Sequence, residues 1–228
     1  TSSNFPMLSS DSLLFFGGVV LLIGVIDDRL DISAKIRLFA LLVVSAVTVY
    51  WTDLQVKNLG DILALGYNID LGSLSFPFTV LAVLGFTIAF NMVDGCDGLA
   101  GGIALITIVG LLSYWPLPGL APLTVLLIIL VAPISVFLIF NLALKQSVKV
   151  FLGDGGSLFL GFVISLTVVA LAGDGASGLP STFLWFLAIP IFDMVSVVAI
   201  RLLTQKQVMG ADRNHLHHFL RSFGLSDG

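Results

Sequence analysis

The chain of 228 residues is 57% hydrophobic and 11% charged, with a mean hydropathy of +1.10. Soluble domains carry about 25% charged residues, so a water-soluble globular fold is excluded. The net charge of −4 is uninformative in such a chain, and the single Cys96 excludes an intrachain disulfide or a cysteine-based metal cluster. What remains is an all-α polytopic membrane protein, because lipid tolerates only backbones that satisfy their own hydrogen bonds. All fourteen acids are Asp and none is Glu, a bias toward the short carboxylates common at metal and phosphate sites.

In chain order, seven apolar runs read as spans: 12–26, 36–51, 76–93, 99–115, 122–144, 157–172 and 181–203. Pro133 is expected to kink the fifth, and Tyr114 with Trp115 to anchor the fourth at an interface. Between the second and third spans, Ile62–Leu65 and Ile69–Leu71 flank Gly66-Tyr67-Asn68, which reads as a small surface hairpin. No soluble domain and no internal repeat is evident, so residues 1–228 read as a single integral-membrane domain. The chain opens at Thr1 with no basic segment and no small-residue cleavage site, so no signal peptide is expected.

Seven spans force the loops to alternate sides. Loops 27–35, 94–99, 145–156 and 204–228 then share one face, and Arg29, Lys35, Arg37, Lys145, Lys149, Arg201, Lys206, Arg213 and Arg221 lie in or beside them. Only Lys57 lies on the other side, so the positive-inside rule makes the first set cytoplasmic.

That face carries the chemistry. Asp94 and Asp97 lie three residues apart among glycines, between two long apolar segments. Charge at bilayer depth costs several kcal/mol, so this pair must sit at a surface or line a wet cavity. Asp at that spacing suits a hard cation or one polar ligand, although Asp and Gly are also the usual residues of a solvated turn. Asp27 and Asp28 repel each other unless a cation or strong donors hold them, so one could carry a raised pKa and act as a base. The plain alternative is a polar helix end neutralised by Arg29. Lys35 could hold a phosphate as a point charge, or, with Arg37, serve only as an anchor.

Phe151-Leu152-Gly153-Asp154-Gly155-Gly156-Ser157 reads as a glycine loop before a helix, able to form an anion-binding nest, with Asp154 able to ligate Mg²⁺. Otherwise it is a loop with Ser157 as the helix cap. His215, His217 and His218 follow Asp212-Arg213. A zinc site there needs ligands from afar, whereas His and Arg donors could grip a diphosphate. Asp193 lies inside the seventh span, three residues after Pro190, and Asn141 near the end of the fifth reads as a cap.

Taken together, Asp27-Asp28-x-x-Asp31, Asn91-x-x-Asp94-Gly-x-Asp97-Gly-Leu-Ala, Phe151-x-Gly-Asp154-x-Gly-Ser and His215-x-His217-His218 resemble the polyprenyl-phosphate N-acetylhexosamine-1-phosphate transferases of glycosyltransferase family 4. The resemblance runs from about Leu21 to the end. The set of four motifs is highly specific, although no motif alone is. Ala211 to His218 looks like the branch that uses UDP-N-acetylglucosamine to start O-antigen, enterobacterial common antigen or teichoic-acid linkage units, rather than the phospho-MurNAc-pentapeptide branch.

The resemblance implies transfer of N-acetylglucosamine 1-phosphate from UDP-GlcNAc to undecaprenyl phosphate with release of UMP, at the inner membrane of a bacterium, dependent on Mg²⁺ with Mn²⁺ as a substitute. It implies catalytic roles for Asp27, Asp28 and Asp154, with Asp154 and Asp94 at the metal. It places Asn91, Asp94 and Asp97 near the nucleotide, Asn141 among the substrate-binding residues, Phe151 against uracil and Lys35 near the lipid phosphate. Arg213, His215, His217 and His218 would hold the diphosphate and sugar. Partners are then the UDP-sugar, the polyprenyl phosphate and the bilayer, with a homodimer open and no nucleic acid. The family has helices before the first acid pair and after the histidine loop that this chain lacks, so an internal fragment is expected. Another UDP-N-acetylhexosamine is the nearest alternative substrate. A transporter is the competing class, but it would place acids at mid-span and show a repeat. A CDP-alcohol phosphatidyltransferase would need further acids where Leu99-Ala100-Gly101 stands.

Overall fold

A computed structural model describes residues 9–60, 68–113, 121–142, 149–173 and 188–203. Among them are seven α-helices: α1 (Ser10–Leu30), α2 (Ala34–Thr52), α3 (Ser75–Val93), α4 (Leu99–Leu112), α5 (Ala121–Asn141), α6 (Gly153–Gly173) and α7 (Ala188–Leu203). The all-α membrane reading holds. By length and composition α2, α5, α6 and α3 with its preceding turn can cross a bilayer, and α4 is a shorter apolar helix. The anchors Tyr114 and Trp115 and the start of the seventh expected span lie outside the described residues.

The bundle is organised around α6. It is apolar on every side, and 83% of its spanning window is buried inside the protein, against 22% for α2 and for α5. A helix without a polar face belongs in the middle of a bundle, whereas α2 and α5 turn most of their surface to lipid. Helices α1 and α3 flank α6 most closely, and α7 packs on α3. Small residues permit that approach. A Cβ on Gly24 of α1 would lie 2.5 Å from the α6 backbone at Asp154 and Gly155, and one on Gly161 would lie 2.8 Å from Phe90 of α3. Close backbone contact at small residues replaces the hydrophobic effect as the glue between helices in lipid.

Two boundaries differ from the sequence reading in a way that matters. Helix α1 continues past Ile26 to Leu30, so Asp27 and Asp28 belong to its last turn, with Asp31 closing it at φ 48°. Helix α6 begins at Gly153 rather than Ser157, so the glycine segment is its first turn and not a loop. Helix α5 runs unbroken through Pro133.

At the opposite end of the bundle residues 69–71 pair with 57–60, through Leu59 N–H to Ile69 O (2.9 Å) and Leu71 N–H to Lys57 O (2.9 Å), while the first arm of the expected hairpin, 62–65, lies outside the described residues. Buried Leu54 and Val56 tie segment 57–60 down, with Val56 N–H donating to Thr79 Oγ1 of α3 (2.9 Å), and Asn58 bonds Asp70 across the pair.

Candidate active site

One end of the bundle gathers the polar side chains that the apolar helices cannot bury. Asp31 adopts the left-handed conformation and its N–H returns to Asp27 O (2.9 Å), turning the chain sharply so that α2 starts three residues later. This brings Arg37, in the first turn of α2, beside the last turn of α1. Its Nη1 pairs with buried Asp27 and also reaches Asp154 Oδ2 at 3.0 Å. One guanidinium thus joins three helices, a task suited to its rigid fork of donors.

Asp154 is held from its other side by α3. Asn91 Nδ2 donates to Asp154 Oδ1 (2.7 Å) and to Ser157 Oγ (2.8 Å), and Ser157 Oγ donates to Gly153 O (2.8 Å). Asp28 accepts the backbone N–H groups of Asp154 (2.9 Å) and Gly155 (3.1 Å). The anion-binding helix start expected from the glycines therefore exists, and the anion within reach of its N–H groups is Asp28. Ser157 does not cap the helix, because it lies one turn inside it.

The other wall comes from the α3–α4 connection. Asp94 follows the last residue of α3, and its carboxyl is pushed up to about 6, first by burial and then by the charges of Asp154 and Asp28. Asp97 pairs with Lys149, just before α6. Asn141, buried at the end of α5, accepts the Gly98 N–H on Oδ1 and donates from Nδ2 to Val150 O (2.8 Å). Gly98 sits at φ 74°, so it can point its N–H at that amide while opening α4.

These walls enclose a cleft of about 510 Å³ into which Asp28, Asp94, Asp97, Asn141, Lys149, Phe151 and Asp154 all face. The Phe151 ring stands 73% exposed at its edge, available for stacking. Asp94 and Asp154 are close enough to oppose each other's ionisation, the arrangement a divalent cation relieves. Among the described residues no three His, Cys, Asp or Glu side chains form a complete metal cage. Asp94 and Asp154 are the pair that could hold a hard divalent cation, which takes one or two carboxylates and completes its shell with water and phosphate oxygens.

The structure thus brings Asp27, Asp28, Asn91, Asp94, Asp97, Asn141, Phe151 and Asp154 to one end of the bundle. Lys35 stands exposed on α2, outside the cleft walls. Cys96 is half-buried and lines the cleft. Asp193 is buried in α7. Arg213, His215, His217 and His218 lie outside the described residues. Sequence reasoning passed over Arg37 and Lys149 as site residues, because a membrane anchor and an ion-pair partner are the same residue type in the same loop. The usable signal for Arg37 was its place one helical turn into α2, directly after a three-acid helix end.

A family model described as glycosyl transferase family 4 matches residues 11–172. The undecaprenyl-phosphate alpha-N-acetylglucosaminyl 1-phosphate transferase of Escherichia coli strain K12 is 35% identical over 211 residues, covering 92% of this chain and 57% of that protein. The Salmonella typhi protein of that name is 36% identical over 216 residues, covering 93% and 58%. The probable undecaprenyl-phosphate N-acetylglucosaminyl 1-phosphate transferase of Bacillus subtilis strain 168 is 31% identical over 211 residues, covering 91% and 57%. The chain spans a little over half the length of these relatives.

Proposed function

The chain belongs to glycosyl transferase family 4, and from that premise we propose that it carries the reacting centre of a transferase moving N-acetylglucosamine 1-phosphate from UDP-GlcNAc to undecaprenyl phosphate. The observation that carries the reading is the meeting of Asp27, Asp28, Asn91, Asp94 and Asp154, from three helices and one loop, at one mouth of an apolar bundle. One substrate is dissolved in water and the other in the bilayer, so the reaction needs such a place. The names of the relatives support this acceptor and transferred group. The Lys and Arg distribution supports an inner-membrane protein with this mouth toward the cytoplasm.

In this reading an oxygen of the lipid phosphate attacks the sugar-linked phosphorus of UDP-GlcNAc. A new P–O bond forms, the bond from that phosphorus to the bridging oxygen breaks, and UMP leaves with the electron pair. Two anions must be brought together, and the protein's work is to offset their repulsion and fix their line of approach. Asp94 and Asp154 are the residues that would hold Mg²⁺, which when bound supplies charge neutralisation for the diphosphate. Arg37 holds Asp27 and Asp154 at fixed separation. Asp27, anchored by that guanidinium, orients the lipid phosphate or takes its proton. Phe151 supplies a stacking face for uracil. Family resemblance adds Arg213, His215, His217 and His218 as donors to the diphosphate and sugar.

The test is a membrane assay of the full-length protein with radiolabelled UDP-GlcNAc and undecaprenyl phosphate, with and without Mg²⁺. Labelled lipid and UMP in equal amounts, formed only with Mg²⁺, are expected. Product from another UDP-N-acetylhexosamine alone would correct the sugar, and no product from any nucleotide sugar with folded protein would overturn the reading.

A further inference from the structure

We propose that Asp28 is a positioning residue, which caps α6 from a neighbouring helix and thereby aims Asp154, and that it is neither the base nor a direct substrate ligand. This deepens the transferase reading and rests on it for its kinetic arm.

The starting point is that α6 cannot cap itself. An α-helix leaves its first N–H groups without carbonyl partners, and a Ser, Thr, Asp or Asn just before it normally accepts those of the second and third residues. Leu152 precedes α6 and Gly153 opens it, and neither side chain has an acceptor. Asp154 and Gly155 are the second and third residues, and both of their N–H groups go to the two oxygens of Asp28. A carboxylate from α1 therefore performs the N-cap of α6, with the helix dipole adding to the attraction.

The surrounding glycines are cut to this contact. Gly24 lies one turn before Asp28 on the same face of α1, and a Cβ there would strike the backbone of Asp154 and Gly155 at 2.5 Å. A Cβ on Gly153 would meet Asp28 Oδ2 at 2.8 Å, and one on Gly155 would meet Val25 at 2.9 Å. Three glycines clear the space that lets one carboxylate reach two amides. With its backbone N–H fixed this way, Asp154 presents one carboxylate oxygen to Arg37 and the other to Asn91.

The adjacent acids of the Asp27-Asp28 pair thus divide their labour. Asp27 is paired with the Arg37 side chain, whereas both oxygens of Asp28 are committed to backbone amides.

Two measurements test this. The first is residue-resolved amide hydrogen exchange on metal-free protein in nanodiscs. In the wild type, the Asp154 and Gly155 amides are expected to exchange as slowly as amides one turn deeper in α6, and fast exchange would overturn the proposal without any variant. In Asp28→Asn, which offers one acceptor and one repelling donor, both amides are expected to speed up at least tenfold, while Asp27→Asn leaves them within about threefold. Unchanged exchange in Asp28→Asn would likewise overturn it. The second is the pH profile of kcat in Asp28→Asn, with a lower plateau and the acidic limb retained expected. Loss of that limb would make Asp28 the base and end the proposal. Because exchange needs no turnover, a wrong substrate assignment leaves the first test intact.

Discussion

The two walls of the cleft are built by different means. Around Asp154 the described hydrogen-bond partners stand on helices: Arg37 on α2, Asn91 on α3, and Asp28 on α1. Around Asp97 the contacts link connecting segments: Lys149, before α6, pairs with Asp97, and the Gly98 and Val150 backbones are joined through Asn141 at the end of α5. Helices locked by close glycine contacts hold a group more precisely than loops do, and bond-making requires placement within a fraction of an ångström. Loops joined by one ion pair and one amide can shift to admit and release a soluble ligand. The helical wall is therefore suited to the reacting phosphates and the loop wall to recognition of the nucleotide.

The largest effect is expected at the centre of the helical wall. Asp154→Asn removes the charge on which Arg37 and Asn91 converge, and transfer in membranes is expected to fall ~10³-fold, the cost of losing a principal charge-stabilising group. Its thermal stability should fall as well, because Asn offers one acceptor where Arg37 and Asn91 need two. A fall of less than tenfold would place the chemistry elsewhere.

Arg37→Ala comes next and should damage both rate and fold. It leaves buried Asp27 without its partner and Asp154 with one anchor fewer. Charged hydrogen bonds of this kind contribute about 1.5–3 kcal/mol each. A loss of roughly 2 kcal/mol lowers the melting midpoint of a chain this size by ~4–8 °C. Arg37→Lys is expected to recover little of either, since both bonds leave the one nitrogen Nη1, which the shorter lysine side chain has to reach with its ammonium. Full recovery in Lys would mean that only net charge matters there.

The loop wall should respond differently. Asn141→Ala cuts the link between Gly98 and Val150, and KM for the nucleotide sugar is expected to rise ~10-fold with kcat within about threefold. That is about 1.4 kcal/mol, in the range of one or two neutral hydrogen bonds. Equal losses in kcat from Asn141→Ala and Arg37→Ala would remove the distinction between the walls.

How much of this was readable in advance follows from the same contrast. The seven helices were legible because lipid demands long apolar runs, and the acids stood out because so few charges interrupt those runs. The ends of α1 and α6 were misjudged at Ile26 and Ser157, because hydropathy marks where the bilayer stops and capping marks where the helix stops. Asp28 capping α6 joins residues 126 and 127 positions apart, so no local pattern announces it. Arg37 reaches Asp154 across 117 positions and was legible only as one more positive charge. The pairing of 57–60 with 69–71 was not legible because its first strand is anchored to α3 by Val56 N–H on Thr79 Oγ1, a contact between residues 23 positions apart.

The smallest effect is a pH dependence at the seam between the walls. The Asp94 carboxyl titrates at about 6 in the folded protein against 3.8 ordinarily, pushed up by burial and by the charges of Asp154 and Asp28. Between those values the native state binds more protons than the unfolded chain, so stability falls as pH rises through this window. The group favours folding most at about pH 4 and has lost that contribution above pH 6. Asp94→Asn mimics the protonated form at every pH. In metal-free detergent solution its melting midpoint should exceed that of the wild type by roughly 2–4 °C at pH 7.5, and the gap should close by pH 4.5. Adding Mg²⁺ at pH 7.5 should raise the wild type toward the variant, because a cation held by Asp94 and Asp154 removes the repulsion that burial imposes. A gap independent of both pH and Mg²⁺ would show that Asp94 stands apart from the other carboxylates, and the cleft would then have no shared centre for a cation.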